Sequence, residues 1–455
     1  MRTVSVLARV ALTAFSVSFA VPALAQRPAR NPHDAEVARH AAAARREGSS
    51  PRAILPILEL EQQGDDATPG VVLRELSRLA QERRLSPVMR SYVRTLEAFG
   101  QIAAGRPDDA ARTFDELGFL RKWRVIGAFD DEGKQGFART YGPEEQRNAP
   151  FDENAAYPGR EREVRWRLYP EELTRYGYVD FDATLRPYEN ACGYAETFVQ
   201  VDRARPMGLF VGAGGAIKVW ANGNEVLSDA VYRGPAIERS AAIFHARQGW
   251  NRILVKVCVQ DRRWGFYARL GEADGSAPRG VTVDPNGATE AAPAHAGAPT
   301  MAPVPVMPLA FLEERVRTRP DDAGAHFDLA RFLAWTAAED PTETRSRQLA
   351  ERAVELRNSV EHALLAVDLV ETRAERMRYV TKAEEADARD PRVRLARAEL
   401  ISDGPDPGRA LRMLDEGFSL DTVPGIRAAW MRASLLEERD LPLAGFAIIE
   451  DAVRR

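Results

Sequence analysis

The 455-residue sequence is short of lysine, cysteine and histidine, and each shortage excludes something. Of 63 basic residues only Lys122, Lys134, Lys218, Lys256 and Lys382 are lysines; the rest are arginines. Those arginines alternate with Glu and Asp along helical stretches, and the net charge is −4. That is the pattern of solvated helix faces rather than of a basic patch, so nucleic acid is not an expected partner. The six histidines (His33, His40, His245, His295, His326, His362) show no ligand spacing, and the acidic run Asp130–Glu132 has no EF-hand pattern around it. No metal site is expected. The two cysteines, Cys192 and Cys258, have only His245 near them in sequence, too little for a thiolate nucleophile. The stretch "GLFVGAGGAIK" (208–218) lacks both phosphate-loop spacings, so no nucleotide cofactor is expected and its glycines read as β-turn residues. Acidic residues are plentiful, but no stretch reads as an α/β barrel that would hold a glycosidase's paired carboxylates. No catalytic residue emerges, and an enzyme is not expected.

What is present begins with a secretory signal. Arg2 and Arg9 bracket a positive start, an apolar run covers Val10 to Val21, and Ala23 and Ala25 place small residues at −3 and −1. This predicts a signal peptide over 1–25, cleaved after Ala25. The run is too short to span ~30 Å of hydrocarbon, and nothing later approaches that length. The mature protein is therefore expected in the periplasm or outside the cell, without an integral membrane segment. That oxidising setting permits a disulfide between Cys192 and Cys258. In the strand containing Ile253, Val255, Val257 and Val259, alternation puts Cys258 on the opposite face. Cys192 shares a face with Tyr194, Glu196 and Phe198, so the two sulfurs can meet across neighbouring strands. The alternative is two free, buried thiols packed as small hydrophobes.

Helical patterning fills residues 26–120 and 309–455. In "LEAFGQIAAGRPDDAARTFDEL", Gly105 makes a turn, Ala110 is small and Phe114 follows four residues on. This small-x3-aromatic pattern resembles the second helix of a tetratricopeptide hairpin, where the small residue lets two helices approach. In the second arm Ala410 and Ala444 lie 34 residues apart, followed by Leu414 and Ile448. One period earlier Arg376 replaces the small residue, while Val380 and Ala383 keep the later positions. Prolines in "RDPRVR", "DGPDPGRA" and "RDLPLAG" mark turns. The alternative is a helical bundle without repeats.

Between the arms, residues 121–272 carry short β-rich runs separated by turn chemistry, which predicts an all-β sandwich or jelly roll. In "GAIKVWANGNEVL" (215–227) Asn222-Gly223 supplies a type I′ turn, pairing Val219 with Val226 and Trp220 with Glu225. Residues 273–308 are rich in Pro, Ala and Gly and predict a mobile linker. The fold expected is multidomain, α and β: tetratricopeptide-like repeats flanking a β-sandwich.

The segments "IKVWANGNEV" and "ARQGWNRILVKVCV", with their Asn-Gly and Gly-x-Asn turns, are similar to the galactose-binding-like jelly roll, especially the accessory sugar-binding domain of family 2 glycoside hydrolases. "WRVIGAFDDEGKQGF", "YGPEE", "EVRWRLY", "GYVDF" and "WGFYARL" also resemble, in order, the N-terminal region of exported bacterial tetratricopeptide proteins that carry a transglutaminase-like domain further on. No such domain follows here, and that activity is not carried over. The resemblance implies a glycan as one ligand class, for which Trp220, Tyr232 and Trp264 are the candidate stacking residues; Trp250 is a further aromatic near a turn. Repeat arrays present concave surfaces to proteins or peptides. The function expected is thus a non-enzymatic, exported scaffold for protein–protein interaction with glycan recognition by the jelly roll. The alternatives are a substrate-holding part of a hydrolase or transglutaminase-like system, or a dedicated carbohydrate-binding protein.

Overall fold

Prolines and short polar side chains set where the first helices begin. In the computed structural model, residues 31–287, 303–340, 344–402, 404 and 406–454 are described; the expected signal peptide lies outside them. Helices α1 (Pro32–Glu47), α2 (Ile54–Glu61), α3 (Val71–Ala80), α4 (Pro87–Ala103) and α5 (Pro107–Leu117) form the first arm. Asn31 accepts from the His33 amide and Ser86 from the Met89 amide. Pro32, Pro87 and Pro107 start their helices, where a missing N–H costs nothing. Gly105, at φ 72°, turns α4 into α5. Ala98 and Ala110, both fully buried, let these helices approach, and Phe114 packs against Phe99 and Phe119 with ring centroids 5.4 and 5.0 Å away.

The chain then builds the two antiparallel sheets of a sandwich and a separate two-stranded antiparallel sheet. Its strands are β1 (Arg124–Asp130), β2 (Ala156–Pro158), β3 (Glu163–Arg165), β4 (Arg167–Leu168), β5 (Tyr178–Asp180), β6 (Ala191–Val201), β7 (Arg205–Gly214), β8 (Ala216–Ala221), β9 (Asn224–Asp229), β10 (Ser240–Ala246), β11 (Gly249–Val259), β12 (Gly265–Glu272) and β13 (Val281–Asp284). The larger sheet runs β4-β1-β6-β11-β8-β9, with β13 also on β6; the smaller runs β10-β7-β12-β5, and β2 and β3 form the separate pair. Ile253, Val255, Val257 and Val259 face Leu209, Val211, Phe266 and Leu270 across the sandwich core. The glycines of "GLFVGAGGAIK" serve close approach as much as turning: a Cβ on Gly212 would lie 1.7 Å from the Ala236 carbonyl oxygen, and one on Gly215 2.1 Å from that of Cys258.

Two sequence expectations need correction here. Trp220 pairs with Glu225 as expected, and Asn222 and Gly223 both have positive φ. Val219, however, pairs with Leu227, because Val226 is the extra residue of a bulge. Of the mobile linker expected over 273–308, residues 281–284 form β13 instead, and residues 288–302 lie outside the described residues. Val281 and Val283 alternate towards the sandwich core as β13 pairs with Val201–Phe198 of β6. The Gly275 turn packs on α4, where the Ser91 hydroxyl donates to the Gly275 carbonyl at 3.0 Å.

The second arm comprises α7 (Pro308–Thr318), α8 (Ala323–Thr336), α9 (Arg345–Leu356), α10 (Val360–Leu369), α11 (Arg373–Asp387), α12 (Pro391–Ser402), α13 (Pro407–Asp415), α14 (Val423–Glu437) and α15 (Pro442–Arg454); α6 (Gly142–Glu145) lies between β1 and β2. From α8 onward the helices pair as hairpins: α8/α9, α10/α11, α12/α13 and α14/α15. Ala410 and Leu414 are buried and Arg376 is exposed above buried Val380 and Ala383. The small contact residue of the last hairpin is Gly445, not Ala444: Ala444 is exposed, whereas a Cβ on Gly445 would lie 2.8 Å from the Ala433 carbonyl oxygen. Pro391, Pro407 and Pro442 stand at helix starts rather than inside the turns.

The arms do not merely flank the sandwich. One apolar cluster runs from Val37 through Leu333 to Val393, so α1–α4 and α7–α12 share a core. Asp328 on α8 is buried and accepts from Arg52 at 2.7 Å and Arg315 at 2.6 Å. Arg331 reaches Glu59 of α2 at 2.5 Å. The smaller sheet rests on this helical body through Phe210, Ile237 and Ala241. At that junction Arg269 donates to buried Glu238 at 2.6 and 3.0 Å. Arg233 and Arg239 donate to the Ala338 and Thr336 carbonyls at the end of α8, where the helix dipole favours cations.

Candidate functional site

Alternation places Trp220 on the opposite face of its sheet from Val219, as expected, but that face is not open to solvent. Residues 131–166, including α6, β2 and β3, lie over it. Phe137, Tyr157, Val164 and Trp166 from this cover pack against Trp220, Tyr194, Leu254 and Tyr232. Trp220 and Tyr232 are buried, and Trp264 is fully buried in the sandwich core, donating its indole N–H to Val257 at 2.9 Å and meeting Phe181 edge-on. All three candidate stacking residues are therefore enclosed, and none offers a ring face to a sugar. For Trp220 and Tyr232 the physical reason is the cover, whose short strands and irregular turns carry no periodic signal; Trp264 instead fills the core between the two sheets.

The cover is fastened by buried charge. The Lys256 ammonium donates to the Arg139 carbonyl at 2.7 Å and to Glu144 of α6 at 3.2 Å; burial pushes its amine down to about 8, with Glu144 opposing. Arg252 pairs with buried Glu196 at 2.8 Å and donates to the Ala149, Arg147 and Gln146 carbonyls of the cover. Burial raises the Glu196 carboxyl, with Arg252 opposing. The two motif asparagines belong to the same scaffold. Asn222 donates to Asn251 at 2.9 Å and accepts from the Arg252 amide. Asn251 in turn holds the β10–β11 turn through Arg247 and Gly249. The hairpin that stands out in the sequence is thus a structural corner, its tip clasped by Arg147 at the Gly223 carbonyl.

Cys192 and Cys258 sit directly opposite each other on β6 and β11 and are joined in a disulfide, with Cα atoms 4.1 Å apart. Asp131 brings a carboxylate oxygen within 4.8 Å of both sulfurs, but bonded sulfurs are not thiolate ligands, and the trio is not a metal centre in this state. Asp131 instead accepts from the Tyr232 hydroxyl at 2.9 Å, from Gln260 at 3.1 Å and from the Phe137 amide at 3.2 Å. Burial raises its carboxyl to about 6 against these hydrogen bonds.

A pH dependence follows. The native state holds the Asp131 proton more tightly than the unfolded chain, whose Asp titrates near ~3.9. The resulting stabilisation is complete below that value and is lost as pH rises through about 6. Asp131→Asn, which does not titrate, is expected to remove up to about 3 kcal/mol of this fall. Urea unfolding of both proteins across the window checks it; equal slopes would contradict it.

A different surface remains open. Asp368 on α10, Glu399 on α12 and Arg427 on α14 come from three successive first helices of the repeats and interact electrostatically at one place. Asp368 is solvent-accessible yet surrounded by enough protein to desolvate it. That crowding and then Glu399 raise its carboxyl to about 6, while Arg376 and Arg427 oppose. Trp430, one turn beyond Arg427 on α14, is 60% exposed. The sequence held a signal for this set: Asp368, Glu399 and Trp430 fall at equal intervals. Attention to the small contact residues of the second helices missed it.

No family model matches the chain, and no curated protein matches it. Among solved structures it is similar to MamA (11% identity, 32% of this chain and 85% of that one, TM-score 0.27). It is also similar to YrrB, described as a TPR protein with an unusual peptide-binding site (12% identity, 32% and 75%, TM-score 0.26). A β-glucosidase from Kluyveromyces marxianus matches at 10% identity over 52% of this chain and 23% of that one, TM-score 0.21. Likenesses this slight establish no shared function. No helix among the described residues is long and apolar enough to cross a membrane.

Proposed function

We propose that the protein is an exported, non-enzymatic scaffold that holds a protein or peptide partner on the first-helix face of its C-terminal repeats. The observation that carries this reading is the joint placement of Asp368, Glu399 and Arg427 from three successive hairpins beside exposed Trp430. Charged groups of both signs next to a large exposed aromatic ring fix a peptide's register and supply its anchor. The N-terminal signal supports export. The β-sandwich serves as a rigid platform: its candidate aromatics are enclosed, so a glycan would have to be recognised elsewhere on it.

The test is capture of the partner from the native envelope by the mature chain, followed by titration. Trp430→Ala is expected to weaken binding by about thirtyfold, the effect of losing roughly 2 kcal/mol at a hot spot, with the helical circular dichroism unchanged. Full affinity in Trp430→Ala combined with Arg427→Glu would refute the assignment.

A further inference from the structure

Two strands share one side of β6: β1 covers Ala191–Glu196 and β13 covers Phe198–Val201. Beyond β1 lies β4, but β13 has a strand neighbour on its β6 side only. The Asp202 amide donates to the Gly280 carbonyl at 3.0 Å, which sets the phase of this ladder. Hydrogen-bonded pairs alternate along antiparallel strands, so Gly280, Thr282 and Asp284 turn their backbone groups towards β6. Val281 and Val283 turn theirs away, and among the described residues none of those N–H or C=O groups is hydrogen-bonded. The two end strands of the same sheet are less open to pairing: β9 is bulged at Val226, and β4 has two residues.

A cleft of about 420 Å³ runs along the β13 edge. Val281 faces the core and Thr282 faces solvent, yet both line it, together with Leu120 and Leu270 at the rim of the sandwich core. Its charged walls are already matched. Lys122 lies 3.9 Å from Glu171, Arg121 2.5 Å from Asp115, and Glu116 2.5 Å from Arg94.

We infer that the β13 edge takes up an extended segment of a protein partner as an added strand. The occupant follows from what the edge offers. Unpaired N–H and C=O groups on every second residue are met by another extended backbone, not by a helix. Because the wall charges are matched, side-chain recognition falls to Leu120 and Leu270, which suit apolar residues at alternate positions of the segment. Residues 288–302, next in this chain, hold two prolines and Met301 as their single large apolar residue, and do not carry that alternation. The edge lies on the sandwich, so the inference stands whether or not the first-helix face of the repeats binds a partner.

The probe is a short peptide selected from a displayed random library on the full mature chain. It is expected to alternate apolar and polar residues, and to slow exchange of the Val281 and Val283 amides but not that of Thr282. Val283→Pro removes one outward N–H without touching the β6 ladder. It is expected to weaken the peptide about tenfold, with circular dichroism unchanged. N-methylation of the peptide, which leaves the protein native, is expected to weaken binding at every second position only. A selected peptide that tolerates methylation throughout, or that leaves both valine amides exchanging freely, overturns the inference. So does a wild-type dimer that Val283→Pro dissociates, which would give the edge to a second copy. Protection of residues 288–302 from proteolysis that Val283→Pro abolishes would give it to this chain itself, and equally overturns it.

Discussion

Asp328→Ala is expected to destabilise the helical body by about 3–5 kcal/mol, the usual effect of removing one partner from a buried ion pair. Asp328 is 1% exposed and sits where both arms meet, accepting from Arg52 at 2.7 Å and Arg315 at 2.6 Å, with Arg331 at 3.5 Å. Asp328 is the foremost cause of the raised Arg52 pKa. Without the carboxylate, three guanidinium groups would converge on a site that no longer holds a counter-charge. Glu47 and Glu59 remain for Arg52 and Arg331, but among the described residues Arg315 keeps only Asp322, at 3.6 Å. By contrast Arg317–Glu314 lies on the surface, and its removal is expected to be close to neutral. A multidomain chain need not unfold in one step, so hydrogen exchange resolved to α2, α7 and α8 is the appropriate measurement. A loss below about 1 kcal/mol there would mean that the arms do not depend on this contact.

The second large effect concerns the disulfide. Replacing Cys192 and Cys258 together by Ala is expected to cost the sandwich about 4 kcal/mol, the chain-entropy value for a bridge spanning 66 residues. The bond ties β6 to β11, the central strands of the larger sheet, so its loss should raise exchange across that sheet and beneath the 131–166 cover while leaving α8–α15 unchanged. Thiol titration of the denatured, unreduced chain is the simpler control. Two thiols per chain would rule the bridge out.

What could be read from the sequence follows from how local the cause is. The alternation of Ile253 to Val259 is a two-residue period, and it placed the core face and the opposite Cys258 face. The Asn222-Gly223 turn is a matter of positive φ and was equally visible. The bulge at Val226 was not, because it is decided by how β9 fits the twist of β8. The burial of Trp220 and Tyr232 was out of reach for a related reason. It depends on Glu144 finding Lys256 and on Asp131 finding Tyr232, residues about a hundred positions apart. The shift from Ala444 to Gly445 shows the same limit within a helix. Either small residue suits the spacing, and only the approach of Ala433 selects the glycine. The joining of the two arms rests on Arg52, Glu59, Asp328 and Arg331, single charged residues that carry no pattern.

The central claim is that a protein partner lies on the first-helix face of the repeats, and cross-linking mass spectrometry of the captured complex tests it most directly. Lys382 is the only lysine of the second arm, so a carboxylate-directed reagent is required. Links from Asp368, Glu399 or Glu437 to one reproducible partner are expected. Links confined to the β-sandwich, or none beyond the chain itself, would contradict the account.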